Sequence, residues 1–303
     1  MLVEFDVICV GASNLDTIVA VDHVPADDER MTATDFITAG GGPAATAAVA
    51  LARLGARVAM CGVVGDDREG EIVRALLEEE RVDTRWLRTD ASATTARAVV
   101  LASDSTGGRS IVTTVAPEPS VDEIPIGEST WIHADQTGYR SVARALGGSG
   151  GGTLLSVDAG NPIRDLTLDG VELYAPTLAA LLLRYEAGDR EGAFAAASAS
   201  GASQLVATDG ANGSWVATAT GIQLVPSFAV DVVSTLGAGD VFHGALLAGL
   251  VQGLSLLKAT TRANAAGALA CTQIDGRSGI PTSQELDSFL RTRAVGVAPG
   301  IAP

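Results

Sequence analysis

The chain has 303 residues, 47% of them hydrophobic and only 4% aromatic, with a formal net charge of −16. This length can bury the core of one large α/β domain or of two smaller ones. The negative charge argues against a nucleic-acid ligand and against an anionic membrane surface, although a few local cations could still bind a small anion.

The cysteines and the apolar runs indicate the compartment. Cys9, Cys61 and Cys271 are widely spaced within apolar runs, which predicts buried free thiols in a reducing cytoplasm. The first residues lack the basic segment of a signal peptide, and no apolar run is long enough to span a membrane. We therefore expect a cytoplasmic protein with no membrane partner.

A buried first strand is predicted at residues 7–10, where the sequence is Val-Ile-Cys-Val. The turn after this strand ends at Asp16. Because ligands of parallel sheets collect at the carboxyl ends of the strands, Asp16 is placed to bind a pair of hydroxyl groups on a ligand. A carboxylate that only caps the turn is the alternative.

Two short strands with an acidic turn between them are predicted next, at residues 17–21 and 32–37. Their polar character indicates that they lie outside the main core. Arg30 lies between them and could meet an anionic group on a ligand, although a solvated arginine is the simpler interpretation.

A glycine turn, Gly40-Gly41-Gly42, precedes an Ala-rich helix predicted at residues 44–54. Proline at the first helical position and glycine just past the end are the expected boundaries. Glycine lets the backbone approach a ligand closely. The Gly-x-Gly-x-x-Gly spacing of dinucleotide-binding loops and the lysine-containing spacing of P-loops are both absent, so neither loop type is expected.

The rest of the chain alternates between strands and helices. A strand at residues 58–64 and a charged helix at 69–80 are followed by a predicted hairpin of residues 98–101 and 110–114. Further strands are predicted at residues 131–134, 154–157, 171–174 and 205–207. Alternation of this kind predicts a parallel, doubly wound sheet.

The segment at residues 230–245 carries the strongest chemical pattern. A β-branched run at 230–233 predicts a strand, Gly237-Ala238-Gly239 a tight turn, and Asp240 the start of a long apolar helix. The backbone N–H groups of such a turn and the positive end of the helix dipole together form a cradle for phosphate. A carboxylate at its edge is suited to take a proton from a hydroxyl group that attacks phosphorus. An ordinary first-turn aspartate is the alternative.

Two segments resemble a known family. From Thr235 through Asp240 the chain is similar to the second signature of the PfkB, or ribokinase-like, carbohydrate kinases, with Ser234 in place of the family's leading Asp. The glycine turn at residues 40–42 and its helix resemble the first signature, with Thr46 where the family usually has Asn.

The resemblance implies an overall architecture. One ribokinase-like domain would cover residues 1–303, with a doubly wound, mostly parallel α/β sheet flanked by helices and a small β-sheet lid. Segments at about 17–38 and 97–115 would form the lid, which in this family often also makes the dimer contact. We therefore expect a homodimer.

The resemblance also implies roles for individual residues. Asp240 is expected to be the catalytic base, and the amides of Gly237, Ala238 and Gly239 to stabilise the transferred phosphoryl group. The residues expected to bind the acceptor are Asp16, Gly41, Gly42, Thr46 and Arg30. Those expected to bind the nucleotide are Thr208, Gly210, Gly213, Thr235 and Asn264.

ATP and Mg²⁺ are the cofactors that the resemblance implies. The family's Asn-x-x-Glu element, which organises Mg²⁺ and phosphate through water, is missing near residues 174–177, so no metal-binding residue is assigned. Ser234 stands where many members place an Asp as a K⁺ ligand, which puts a monovalent-cation site in doubt.

The expected activity is ATP-dependent phosphorylation of a hydroxyl group on a ketohexose, a pentose or a sugar acid. A nucleoside kinase on the same fold is one alternative, and the low aromatic content argues mildly against it. The other is a sugar- or nucleotide-binding protein with weak catalysis, suggested by Ser234 and the missing Asn-x-x-Glu element.

Within the family, residues 40–50, 240–245 and 276–281 are most similar to the sulfofructose kinases. Thr113 and Thr137 stand where the sulfonate-binding Asn and Arg of those enzymes are expected. The sulfonated substrate is therefore not carried over to this chain.

Overall fold

The computed structural model describes residues 3–103, 105, 108–147 and 152–295. The strands in these residues are β1 (Phe5–Val10), β2 (Asn14–Val21), β3 (Asp35–Gly41), β4 (Val58–Gly65), β5 (Asp83–Asp90), β6 (Ala96–Ser103), β7 (Arg109–Thr113), β8 (Ser129–Ala134), β9 (Leu154–Ala159), β10 (Val171–Pro176), β11 (Gln204–Thr208), β12 (Ser214–Thr218) and β13 (Gly221–Val225). The helices are α1 (Pro43–Arg53), α2 (Arg68–Glu79), α3 (Tyr139–Leu146), α4 (Leu178–Arg184), α5 (Arg190–Ala199), α6 (Ala238–Val251), α7 (Leu256–Ala270) and α8 (Ser283–Val295).

The larger sheet has nine strands in the order β13-β12-β11-β10-β9-β8-β1-β4-β5. All neighbours from β11 to β5 pair in parallel, and β12 and β13 add an antiparallel edge. Parallel strands need a crossover between them, which explains the helices that follow most of these strands. The predicted doubly wound, mostly parallel α/β fold is confirmed.

Helices cover both faces of this sheet. In β1, Val7 and Cys9 join the core beneath α1, α6 and α7, whereas Ile8 and Val10 join the core beneath α3, α4 and α5. All four side chains are completely buried. A strand buried on both faces has no polar side to show, and its sequence is therefore an unbroken apolar run.

A second sheet has four strands in the order β3-β2-β6-β7. Strand β2 pairs antiparallel with β3 and parallel with β6, and β6 pairs antiparallel with β7. Its inner face buries Ile18, Val100 and Ala102 against Leu236, the residue just before the glycine turn of α6. The small sheet thus lies over the start of α6. Residues 104, 106 and 107 of the predicted hairpin are outside the described residues.

The prediction of a strand at residues 230–233 is wrong. No strand is assigned there, and Val232 and Val233 are about half exposed, at 53% and 50%. The backbone N–H groups of Val233 and Ser234 both donate to the carbonyl oxygen of Cys271, at 2.8 and 3.2 Å. β-Branched side chains favour extended backbone, but a strand also needs a partner strand, and this segment has none among the described residues.

The predicted glycine turn is shorter than expected. Strand β3 runs through Gly40 and Gly41, which pair with Leu15 and Asn14 of β2. Only Gly42 lies beyond the strand, where it caps α1. Asp16 accordingly lies within β2 and not in a turn, because the two segments continue their antiparallel pairing down to the main domain.

No helix in the described part of the chain is both long enough and apolar enough to cross a membrane.

Candidate active site

The start of α6 is built around a left-handed glycine. Gly237 caps the helix with φ 70° and ψ −3°, and a Cβ atom there would come within 2.8 Å of Gly276 Cα. Both facts favour glycine at this position. Among the described residues, the N–H groups of Gly239 and Asp240 have no hydrogen-bond acceptor, and that of Ala238 makes only a long bond of 3.4 Å to Thr235 O. The helix therefore presents free donors at its positive end.

Asp240 stands in the first turn of α6. Part of its surface stays accessible to solvent. Partial burial of the carboxylate is nevertheless the largest influence on its ionisation and raises the pKa of Asp240 to about 7. The nearby carboxylates of Asp158 and Asp135 raise this pKa further, whereas His243 and Arg109 oppose the change. An acid that ionises near neutral pH is well matched to general-base catalysis.

A buried polar network lies behind Asp240. His243 Nδ1 is 3.0 Å from Asp158 Oδ2, and His243 Nε2 is 2.9 Å from the carbonyl oxygen of Ala175. Burial alone would lower the pKa of His243, but the Asp158 carboxylate raises it above the usual range. His243 and Asp158 therefore form a charged pair with no net charge. His243 thus has a carboxylate partner inside the structure.

A second histidine completes this network. His133 Nδ1 is 3.1 Å from Ser156 Oγ, and its ring centroid is 5.8 Å from that of His243. Complete burial lowers the pKa of His133 to about 3, so this imidazole stays neutral. One positive charge in this network is thus balanced by one carboxylate.

Asp135 joins three parts of the chain at the carboxyl edge of the larger sheet. Its buried carboxylate accepts hydrogen bonds from the N–H groups of Ala12 (2.8 Å), Ala44 (3.2 Å), Thr137 (2.8 Å) and Gly138 (3.0 Å). Burial raises the pKa of Asp135 to about 6, and the four N–H donors limit this rise because they stabilise the carboxylate. The segment after β1, the start of α1 and the segment before α3 are fixed together by this one side chain.

Asp16 lies on the inner face of the small sheet and is only 8% exposed. Its carboxylate fills the space beside Gly41, where a Cβ atom would fall 2.1 Å from Asp16 Oδ2. Asp16 Oδ1, Ser13 Oγ and Asn14 Oδ1 are buried and have no hydrogen-bond partner within the described residues. Burial raises the pKa of Asp16 to about 6, and Arg277 opposes this rise. These unpaired polar atoms are available for ligand hydroxyl groups.

Two arginines near these carboxylates were not among the predicted site residues. Arg277 donates from Nη2 to Gly41 O at 2.9 Å and from Nε to Thr46 Oγ1 at 3.4 Å. Arg109, on β7, donates from Nη1 to Thr235 Oγ1 at 2.5 Å and so links the small sheet to the segment before α6. Arg30, which was predicted, is exposed in the loop between β2 and β3 and has no polar partner among the described residues.

The predicted nucleotide loop follows β11. Thr208 ends that strand and forms a parallel bridge with Thr177, and the loop is closed by a hydrogen bond from Asp209 N to Gly213 O at 2.8 Å. Gly210 and Gly213 both have positive φ, at 53° and 108°.

Asn264 lies in a network of buried hydrogen bonds. Its amide group accepts from Ser214 Oγ at 2.7 Å and donates to Val225 O at 2.9 Å and to Pro226 O at 3.2 Å. The residue is 6% exposed. These bonds link α7 to the β12–β13 hairpin, and a contact of Asn264 with the nucleotide stays a prediction.

Two departures from the family pattern have local structural roles. Ser234 is buried, and its hydroxyl accepts from Leu236 N at 3.2 Å. Thr177, near the missing Asn-x-x-Glu element, caps α4 by accepting from Ala180 N at 3.1 Å. The described residues contain no group of three or more His, Cys, Asp or Glu side chains that could hold a metal ion.

Comparison with known proteins identifies the class of this enzyme. The sequence profile of the pfkB family of carbohydrate kinases matches residues 4–120 and 168–283. The chain therefore belongs to this family and is a phosphotransferase that acts on a hydroxyl group.

Three relatives show the range of acceptors within the family. An ATP-dependent ribose-1-phosphate kinase from Halopiger xanaduensis is 31% identical, with 95% of this chain and 98% of the relative covered. A fructokinase from Vibrio alginolyticus is 30% identical, with 89% and 96% covered. A ribokinase from Haemophilus influenzae is 27% identical, with 93% and 97% covered. The similarity to sulfofructose kinases is not confirmed and stays a prediction.

Solved structures share the fold. A ribokinase from Arabidopsis thaliana, complexed with ribose and ATP, superposes with a TM-score of 0.80 at 23% identity over 95% of this chain and 99% of that one. A Ribokinase II from E. coli, in complex with ATP and Mg²⁺, gives the same TM-score at 22% identity and the same coverage.

The buried Asp240 carboxylate should cost stability at neutral pH. Its folded-state pKa of about 7 lies above the usual value of 3.8, so the folded state binds more protons between these values and its stability falls as pH rises through that window. Asp240→Asn removes the charge, and we expect it to raise the melting temperature near pH 8, by about 2–4 °C per kcal/mol gained. The difference in melting temperature between Asp240→Asn and the wild type should become smaller towards pH 4.

Differential scanning calorimetry of both proteins across this pH range measures the difference. Asp169→Asn, at an exposed residue outside the site, serves as the matched control and should leave the melting temperature unchanged. An Asp240→Asn protein that melts lower than wild type near pH 8 would contradict the buried-charge assignment.

Proposed function

We propose that this protein transfers the γ-phosphoryl group of ATP to a hydroxyl group of a monosaccharide or sugar derivative, with Asp240 as the base. The observation that carries the proposal is the position of Asp240, an acid with a pKa of about 7 in the same helical turn as free N–H donors. A base near neutral pH and an anion cradle are the two elements that such a transfer needs.

The transfer follows from this geometry. The acceptor oxygen attacks the γ-phosphorus while its proton passes to Asp240, and the bond to the β–γ bridging oxygen breaks to release ADP. The amides of Gly237, Ala238 and Gly239 would stabilise the developing charge, a contribution of about 3–4 kcal/mol per donor in comparable oxyanion sites. We expect a smaller contribution from the amide of Ala238, because its N–H group already donates a hydrogen bond to Thr235 O.

The nucleotide would lie between the β11 loop and the start of α6. Thr208, Gly210 and Gly213 would line its nucleoside side, and Thr235 the phosphate side, where Arg109 also reaches. Asn264 would act indirectly, by fixing the hairpin that follows the loop.

Mg²⁺ would accompany ATP. In phosphoryl-transfer sites Mg²⁺ is held mostly by phosphate oxygens and water, with only one or two carboxylates from the protein. When bound, the ion would neutralise part of the negative charge of the phosphate groups. Since Ser234 Oγ already accepts from Leu236 N, we do not assign a monovalent-cation ligand to it.

The acceptor would be a small sugar such as a pentose, a ketohexose or a sugar acid. Asp16 Oδ1 and Asn14 Oδ1, which have no hydrogen-bond partner in the described part of the chain, would accept hydrogen bonds from sugar hydroxyl groups, with the backbone of Gly41 and Gly42 alongside. Ribokinase, fructokinase and ribose-1-phosphate kinase relatives are consistent with this class. The small sheet would act as a lid that excludes water from the transfer.

Turnover should depend on both a sugar and Asp240. We expect ADP release from ATP and Mg²⁺ in the presence of a pentose, a ketohexose or a sugar acid, and a loss of about 10²-fold or more in kcat with Asp240→Asn. Coupled assays across a panel of sugars and nucleosides measure this, with Asp169→Asn as the matched control. ATP-induced thermal stabilisation without any ADP would instead favour the weak-binding alternative.

The outer face of the small sheet supports the proposed homodimer. Phe36, Val99 and Val112 are 69%, 46% and 75% exposed, and the strand pairing brings them to the face opposite Ile18 and Val100. Exposed apolar side chains on one face are typical of an association surface.

We therefore expect light scattering to give twice the 30.6 kDa chain mass. Val112→Glu combined with Phe36→Glu should give a monomer, because each places a charge in the apolar contact. Leu183→Glu, at an 80% exposed position on α4, is the matched control and should remain dimeric. A wild-type monomer, or a double variant that stays dimeric, would exclude this surface.

A further inference from the structure

Arg277 is a buried cation whose guanidinium lies beside the predicted acceptor residues. It is only 7% exposed, and no carboxylate of the described residues lies within ion-pair distance of it. Burial lowers the pKa of Arg277 to about 10, and more distant carboxylates, of which Asp16 acts most strongly, oppose this change. Its Nη2 and Nε atoms bond to Gly41 O and Thr46 Oγ1, which are both neutral. Desolvation of a guanidinium is costly unless an anion balances it.

The position of Arg277 is fixed by its own loop. Asp275 Oδ1 accepts from Arg277 N at 2.7 Å and from Ser278 N at 2.6 Å. Arg53 Nη1 donates to the carbonyl oxygens of Arg277 and Ile280, at 2.9 and 2.8 Å. A cation held this rigidly loses little entropy when a ligand binds to it.

Two consecutive glycines leave space for the two charged side chains of this region, Arg277 beside Gly40 and Asp16 beside Gly41. A Cβ atom on Gly41 would fall 2.1 Å from Asp16 Oδ2, and one on Gly40 would fall 2.1 Å from Arg277 Nη1. Any other residue at either position would displace the carboxylate or the guanidinium. The glycine pair therefore holds an acceptor of hydroxyl protons and a donor to anions within one short segment.

We propose that the sugar acceptor carries an anionic group, a phosphate ester or a carboxylate, that binds Arg277 while its hydroxyl groups bind Asp16. This inference rests on the proposed kinase function and specifies its substrate class. A planar guanidinium can donate two N–H groups to either oxyanion, so a phosphate ester and a carboxylate would bind Arg277 in the same way. The anion would give the buried guanidinium a direct ion-pair partner, whereas the carboxylates of the described residues act on it only from a greater distance.

The first test compares acceptors with the wild-type enzyme. The phosphate arm uses ribose 1-phosphate and fructose 6-phosphate, the carboxylate arm gluconate and 2-keto-3-deoxygluconate, and the neutral arm ribose and fructose. We expect kcat/KM for at least one anionic acceptor to exceed that for both neutral sugars by about tenfold or more. Best turnover with a neutral sugar would overturn the inference and leave the kinase function intact. No turnover with any acceptor would overturn both.

The second test changes the arginine. Arg277→Met should lower kcat/KM for the preferred anionic acceptor by about 10- to 150-fold, the usual effect of a hydrogen bond to a charged group, and change that for neutral sugars far less. Arg277→Lys keeps the charge without the planar fork and should retain intermediate activity. Arg291→Met, at an exposed arginine on α8, is the matched control and should behave as wild type.

The outcome separates ligand binding from a structural role. Equal losses for neutral and anionic acceptors with Arg277→Met and Arg277→Lys would mean that the guanidinium only supports the glycine segment, and would overturn the inference. Circular dichroism and the ATP-induced melting shift verify that each variant is folded. If Arg277→Met does not fold, the wild-type comparison and Arg277→Lys still decide between the two outcomes.

Discussion

The site depends on a carboxylate that is partly shielded from water at the open end of a helix. Desolvation makes the ionisation of Asp240 harder, and two more carboxylates, Asp158 and Asp135, lie near enough to add to this effect. His243 pairs with Asp158, so one of those charges is balanced inside the structure. The result is an acid that releases its proton near neutral pH, beside amides that attract phosphate. The conditions that raise the pKa of Asp240 also destabilise the folded chain at neutral pH, as is common at functional sites.

The carboxyl edge of the larger sheet collects these groups because all of its central strands run in parallel. Asp135 follows β8 and Asp158 lies near the end of β9, so neighbouring strands deliver neighbouring acids. Asp135 then binds the backbone on both sides of the acceptor region through Ala12 and Ala44. The residues proposed to bind the acceptor and the start of α6 are thereby held to one edge of the larger sheet. The small sheet covers this edge and packs on Leu236.

Local sequence patterns predicted the larger sheet, which is confirmed. They did not predict the contacts that surround Asp240, whose role as the base stays a proposal. Apolar runs such as residues 7–10 located the central strands, because a strand that is buried on both faces has apolar residues at every position. The run at 230–233 failed because propensity alone cannot supply a partner strand. The rule that located Asp16, an acid just after a parallel strand, would also have found Asp135 and Asp158. Arg277 carries no such signal, because it meets Gly41 and Thr46 only through the tertiary fold.

The protein environment sets the ionisation of Asp240. This is measured by the ¹³C chemical shift of its side-chain carboxyl as a function of pH, in protein labelled at aspartate and assigned by comparison with Asp240→Asn. We expect a midpoint of about 7. A midpoint of about 3.9, the value of a solvated aspartate, would show that the carboxylate is not desolvated and would contradict its assignment as a base tuned by burial.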